Sequence, residues 1–481
     1  MTRYLLFFLL LFSIFEGKAI NLDVSSYVFH GAKSYAEIYL RVDAKTIQWA
    51  VKNGKNEAAV EFLIYISNDK NDIVGYDKFI LNSSSKDSIG DFLDVKRFAL
   101  LAGEYALKVE AFDFNNPVDK IELEQKILVS SQNTIVFTSD ILLLADVHQD
   151  SSSSSLVKNG LYMEPLPFNY SSGKDDLINF YVEVYTLKQD VPADYFIQYT
   201  IMEGFKTNIN AKQLLVKYKK LASIEVEPLV LNFPSNSIKS GDYHLLINIV
   251  DKQKNIIYSK SINFVKSNPE ADIAYLDSYN ENAENSFAQQ LKSEDMDYLL
   301  KAHFPITDQS QTATLSELLT SNKIKSQRSF IYQFWKSRNP SNPEAAYKGY
   351  MEVVSAVDKK FYTNAGYGFQ SDRGHMFLKY GKPSNVVTVE TELDAPPYEI
   401  WYYNNMPLTR QTNVRFLFYN KSLAHNDFHL LHSTCLSERS NPAWETVLYG
   451  SVPNDRIGNA VDATKVADNF NRNARRYFNE Y

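Results

Sequence analysis

Apolar and polar residues alternate with a period of two through the first half of the chain. Residues 35–42 (YAEIYLRV), 59–65 (AVEFLIY) and 109–112 (VEAF) follow this rule, with Asn, Asp, Gly and Ser between the runs. Such a pattern predicts half-buried strands joined by turns. The spacing changes after about Pro269. Residues 287–291 and 296–300 carry helical spacing, and 315–319 with Ile331, Phe334 and Trp335 predict a second long helix. Pro340 and Pro343 interrupt it, because proline cannot continue a helix. A third helix is predicted over 344–361, with Ala346, Tyr350, Val353, Val354, Val357 and Phe361 on one stripe. From His375 onward the pattern predicts strands again, at 376–380, 399–403 and 414–418.

The strand region echoes itself. Tyr35-Ala-Glu37-Ile-Tyr39 recurs as Tyr181-Val-Glu183-Val-Tyr185, and Gly103-Glu-Tyr105-Ala-Leu107 as Gly241-Asp-Tyr243-His-Leu245, in the same order. Ordered together, the echoes predict tandem copies of one module. In the second echo, Gly turns the chain into a strand and the Tyr hydroxyl can bond back to the preceding loop. That is the tyrosine corner of immunoglobulin-like sandwiches. Asp113 and Asp251 are expected at hairpin turns, the serines at 151–155 in a flexible loop, and Lys252, Lys254 and Lys260 along a solvated edge.

At 481 residues the chain is too long for one core. Its 32 Tyr and 30 Phe lean it further toward pleated, half-buried surfaces. A net charge of -7 with no block of Lys and Arg excludes nucleic acid as a partner. At the N-terminus, Arg3 precedes the run of 12 at 4–15 (YLLFFLLLFSIF), and Gly17-Lys18-Ala19 then offers small residues for cleavage. Twelve residues span about 18 Å as a helix against a hydrocarbon core of about 30 Å, so this reads as a secretory signal cleaved near Ala19. No later stretch is long and apolar enough to span. One cysteine, Cys435, leaves no internal disulfide and suits a bacterial envelope protein.

Residues 366–383 read GYGFQSDRGHMFLKYGKP. This resembles the signature of the GWxTD domain of envelope proteins from Bacteroidota and relatives. Gly368, Asp372, Arg373, Gly374, Tyr380, Gly381 and Pro383 stand where that signature puts them, while Phe369 replaces its Trp and Ser371 its Thr. Blocks at 330–340 (FIYQFWKSRNP), 397–403, 430–433 and 441–444 extend the resemblance over roughly 275–450. It implies an α+β domain and supplies no catalytic residue. Read physically, Gly368 and Gly374 permit positive φ around a tight loop, and Ser371 or Asp372 caps backbone N–H groups. Arg373 pairs with a carboxylate such as Asp372 or Glu399, and the block forms a loop-and-strand clamp between helix and sheet.

The expected architecture is a signal peptide (1–19), two immunoglobulin-like β-sandwiches (20–133 and 134–268), and a helical segment (269–345). An α+β GWxTD-like core (346–452) and a tail (453–481) complete it. The tail reads as a frayed amphipathic helix or a docking peptide. No HExxH, GxSxG, P-loop or strand-led GxGxxG is present, and no cofactor is expected. His425, His429 and His432 would meet on one side only in a helix, and a turn at Asn426-Asp427 followed by a strand argues against a metal site. The acidic pairs Asp175-Asp176 and Glu294-Asp295 lie in polar stretches and are poor evidence for acid–base chemistry. The leading expectation is a non-enzymatic scaffold or adaptor that binds a protein partner in the periplasm or at the outer membrane. The alternative is an enzyme or glycan-binding protein using Asp372, Arg373, His375, Glu399 and Trp401.

Overall fold

The computed structural model describes residues 20–480 apart from 32, 53–54, 84–90, 117–119, 132–133, 174, 188–194, 207–210, 223, 279–285, 365, 437, 442 and 451–471. The signal-like segment and most of the tail therefore lie outside the described residues. The chain divides into two compact units, Met1–Ala271 and Asp272–Tyr481. The first is built of β-sheet, and the second is a helical segment followed by an α/β region.

In the first half of unit one, Leu22–His30, Ser34–Val42 and Phe92–Ala99 form one sheet. Ile73–Asn82, Ala59–Ser67, Gly103–Asp113 and Lys120–Val129 form another, each in that spatial order. Ile38 and Leu40 from the first and Phe62, Ile64 and Val109 from the second share a core. The second half repeats the plan. Leu177–Thr186 stands where Ser34–Val42 does, with Val226–Pro234 in the place of Phe92–Ala99. Gln213–Lys220, Phe196–Glu203, Gly241–Val250 and Ile256–Lys266 then run in the order of the four-stranded sheet. Each echo falls on equivalent strands. The expected hydroxyl bond is present twice: Tyr105 donates to the Leu101 carbonyl at 3.0 Å and Tyr243 to the Lys239 carbonyl at 2.9 Å.

Alternation gives each strand a second face. On Ser34–Val42 the residues Ala36, Ile38 and Leu40 enter the core, which turns Tyr35, Glu37 and Tyr39 the other way. Phe180, Val182 and Val184 likewise turn Tyr181, Glu183 and Tyr185 outward. These outward faces meet, and Tyr27, Phe29, Tyr39, Leu142, Met163 and Tyr181 pack as a separate apolar layer. Glu37 (0% exposed) and Glu183 (4%) are buried in it. Tyr39 and Arg97 each donate to Glu37 at 2.8 Å, while Tyr181 at 2.6 Å and Tyr185 donate to Glu183. Burial, reinforced by the carboxylates, holds all three tyrosine hydroxyls far above their ordinary range, so they stay donors.

A hairpin with no counterpart in the first half, Val157–Lys158 with Leu161–Pro165, supplies the cation. The Lys158 ammonium lies 3.0 Å from Glu183, 3.5 Å from Glu37 and 3.2 Å above the Phe29 ring centre. It makes no aligned hydrogen bond, so its hold is Coulombic. The expected flexible serine loop is instead bonded into this region. Asp150 accepts from the Ser152 N–H, Ser155 donates to Asp94 at 2.6 Å, and Arg97 donates to the Ser155 carbonyl. Lys260, expected in solvent, pairs with Asp140.

In unit two the helical segment comprises Pro269–Ser278, Met296–His303, Gln309–Thr320, Ile324–Arg338 and Pro343–Phe361. The expected long second helix is two, parted at 321–323. The Gln327 amide donates to the Leu318 and Ser321 carbonyls, which satisfies the end of the first. Asn342 caps the last helix through the Ala345 N–H at 3.0 Å, with Pro343 in its first turn. Tyr347, Val354, Val357 and Phe361 form its buried face, whereas Val353 is exposed. Among these helices His303 is fully buried. Its Nδ1 lies 2.6 Å from the Leu299 carbonyl and its Nε2 accepts from the Trp335 indole at 2.9 Å.

Four antiparallel strands follow, in the order Asn385–Val389, Tyr398–Met406, Gln411–Tyr419 and His429–Ser433. Trp401, Tyr403, Phe416 and Phe418 on one face pack with Val357 and Phe361 of the long helix. Tyr398, Ile400, Tyr402, Leu417 and Leu431 on the other face pack with Trp444–Leu448 and Ala474–Glu480. Residues 376–380, expected as a strand, belong to the helix Asp372–Tyr380. Arg373, Gly374, Met376 and Leu378 are all buried, so this helix is covered on more than one side and its apolar spacing imitates a strand. Among the described residues no helix is long and apolar enough to cross a membrane.

Two outcomes are expected. Lys158→Met removes the cation beside buried Glu183 and leaves Glu37 to Arg97 alone, and it should lower the stability of unit one by about 3 kcal/mol in urea titrations, with Glu183→Gln recovering part of the loss. Burial lowers His303 and His432 from 6.5 to about 4. An unfolded imidazole takes up its proton near 6.5 and a folded one only near 4. The stability of unit two should therefore be intact above about pH 6.5 and fall toward pH 4, by up to about 1.4 kcal/mol per pH unit for each imidazole. His303→Leu should flatten that slope.

Candidate functional site

The signature residues lie between the long helix and the sheet. Gly368 begins a short 3-10 turn, and its N–H donates to the Asp358 carboxylate at 2.6 Å. A Cβ on Gly368 would stand 2.8 Å from the Phe361 carbonyl carbon, and one on Gly374 would stand 2.7 Å from the Phe369 Cα. Neither glycine has positive φ, so the expectation of positive φ around the loop is corrected: close approach of backbones is what requires them. Gly381, with φ 83°, does need the left-handed region, and it ends the helix. Phe369 is a core residue, stacked on Tyr367 and edge-on to Tyr298. An aromatic ring in place of the signature tryptophan thus fills the same kind of space.

The polar signature residues are bonded inward. Ser371 caps the helix by accepting from the Gly374 N–H at 3.1 Å. Asp372 accepts from the Leu430 N–H at 2.6 Å, which ties the helix start to the last strand. Arg373, 4% exposed, donates to Glu399 at 2.8 Å and to both the carbonyl (3.2 Å) and side-chain oxygen (3.0 Å) of Asn426. Its guanidinium carbon lies 4.0 Å from the Phe428 ring centre and 5.1 Å from that of Phe361. The Nε finds no acceptor, and burial pulls the group below its ordinary range against the opposing pull of Glu399. The other oxygen of Glu399 accepts from the Trp401 indole at 2.9 Å. Tyr380 donates to Glu438 at 2.6 Å, Tyr403 donates to the Gly381 carbonyl at 2.9 Å, and Pro383 is buried.

Asp372 lines a cleft that none of the other four residues of the alternative pocket lines. That cleft encloses about 150 Å³, small for an organic ligand, between residues 363–372 and 426–429. Arg373, Glu399 and Trp401 occupy one another, and Trp401 is a core residue whose ring lies tilted against Phe418, 4.9 Å between centres. His375 is half-buried, and burial together with Lys379 holds its imidazole below the usual range. The cleft instead carries Asp427 and His429, whose Nε2 lies 3.0 Å from Asp427 and whose Nδ1 lies 3.9 Å from Asp372. In the sequence His429 stands out only through its spacing from His425 and His432. His432 sits elsewhere, accepting from the Asn441 N–H at 2.9 Å and stacking on Trp444. Among the described residues no three His, Cys, Asp or Glu side chains stand where they could hold a metal ion. Cys435 is buried, 3.8 Å from the Tyr380 hydroxyl.

Fold and site together define a class: an antiparallel sheet flanked by helices, locked by a glycine-rich loop that feeds an Asp-Arg-Gly helix. Residues 282–447 match the family model of the GWxTD domain, and the chain is a GWxTD domain-containing protein. No curated protein matches it. Among solved structures it is similar to red sea bream transglutaminase, at 12% identity over 51% of this chain and 31% of that one, with a TM-score of 0.17. It is also similar to a DUF3823 family protein from Bacteroides ovatus (12%, 45% and 96%, 0.17). A third is trypsin-activated alpha-2-macroglobulin from Escherichia coli (8%, 52% and 17%, 0.17). Likenesses this low carry no argument.

Arg373→Ala leaves the half-buried Glu399 without its cation and with only the Trp401 indole as partner, and it should destabilise unit two by about 3–5 kcal/mol; Arg373→Lys should recover little, because one ammonium cannot replace the fork. Asp372→Ala, losing one bond to a backbone N–H, should cost about 1–2 kcal/mol. Thermal and urea denaturation of the full chain would rank the three.

Proposed function

We propose that this protein is a non-enzymatic scaffold or adaptor of the bacterial cell envelope, exported by its N-terminal signal and bound to a protein partner in the periplasm or at the outer membrane. On this reading the two halves of unit one are immunoglobulin-like sandwiches that act as a stiff spacer, and the GWxTD domain presents the docking surface. One observation carries the proposal. The polar groups of the signature spend their hydrogen bonds on each other and on backbone, which is the economy of a packing clamp. A catalytic site would hold groups in reserve, aimed at a substrate. The Lys158 layer supports the spacer role, since it opposes bending between the two halves.

In vivo crosslinking in the source bacterium, followed by co-purification, tests this. A defined envelope protein should be recovered in fixed ratio with the chain, and His375→Ala should leave that ratio unchanged. Turnover of a compound by purified protein, abolished by His375→Ala in a chain that still melts normally, would refute the proposal in favour of an enzyme.

A further inference from the structure

The second face of the unit-two sheet is closed by a segment outside the matched family residues. The tail helix, Ala474–Glu480, lies beyond residue 447, where the match ends. It places only Ala474 and Phe478 in the buried layer, four residues apart on one helical face. Phe478 sits between the rings of His432 (5.2 Å) and Trp444 (5.3 Å). Polar contacts fix its direction. Arg475 pairs with both oxygens of Glu445, Tyr402 donates to the Tyr477 carbonyl, and the Asn473 and Ala474 N–H groups donate to Glu392 and to the Tyr449 hydroxyl. A helix of seven residues has too few turns to be stable in water, so its helicity depends on the surface beneath it. Two apolar anchors at i and i+4 in a groove, with a charged pair setting the register, is how proteins take up a partner's amphipathic helix.

We propose that this groove is a peptide-binding site, and that residues 472–480 are its resident ligand, held in place and open to exchange. The class of segment it takes is a short helix with a small residue, an arginine next to it, and an aromatic residue four positions after the small one. The inference stands on the tail contacts alone and does not need the adaptor reading. A partner carrying such a helix would have to displace the tail, which sets a threshold for binding.

The test uses the full chain with a protease site inserted within 451–471 and cut after folding, so that no contact residue is altered. The probe is a fluorescent synthetic peptide of residues 472–481. The cut chain should take up one equivalent that unlabelled peptide displaces, and the uncut chain should bind the peptide at least about 100-fold more weakly, because its tethered tail competes. A Phe478→Ala peptide should compete at least about 100-fold more weakly. Glu445→Arg in the cut chain should weaken the normal peptide about 10-fold and restore an Arg475→Glu peptide. The proposal fails if the cut fragment exchanges only when the domain unfolds, if the emptied chain takes up no peptide, or if the uncut chain binds it as readily as the cut one.

Discussion

A guanidinium withdrawn from water must find acceptors in the plane of its N–H groups, and the second unit is arranged around one such demand. Arg373 reaches Glu399 on the sheet and Asn426 in the loop before the last strand, from a helix that begins one residue earlier. It can do so only because Gly374 and Gly368 let the helix start and the preceding turn press against neighbouring backbone. Charge, glycine and aromatic ring are therefore one device. Replacing any part leaves a buried ion without its partner, a gap where a ring was, or a Cβ forced between backbones that touch, and each loss is large against the few kcal/mol by which a domain is stable.

The first unit answers a similar demand differently. Two carboxylates lie in an apolar layer, Glu37 supplied with one tyrosine hydroxyl from its own strand and Glu183 with two, and the Lys158 ammonium stands between them. The repeat accounts for the symmetry of the carboxylates. The cations are not symmetric: Arg97 of the first half serves Glu37 alone, while Lys158, on a hairpin that among the described residues has no equivalent in the first half, reaches both carboxylates.

Local rules were legible in the sequence and long-range ones were not. The tyrosine corners could be read because donor and acceptor lie four residues apart. The Tyr-x-Glu-x-Tyr echo was visible as a repeat, yet the same alternation would serve a strand facing water, so nothing local told that the two copies face each other. Glu399 was one of two carboxylates named for Arg373. Asn426 and Phe428 were missed because they lie 53 and 55 residues away without any pattern of their own. The helix Asp372–Tyr380 was misread because burial on several sides erases the helical stripe, although Ser371 stood ready as a cap and Gly381 as a stop. The turn at Asn426-Asp427 and the strand that follows with His429 were legible locally. Only the fold brings Asp372 beside them.

The shared ammonium also has a mechanical consequence. Pulling the two halves of the first unit apart would part Lys158 from Glu37 and open both buried carboxylates to water at once, leaving Glu37 with Arg97 and Glu183 with Lys158. Tension on that interface would thus meet short-range resistance that gives way in one step, as a latch does, rather than yielding gradually as a hinge would.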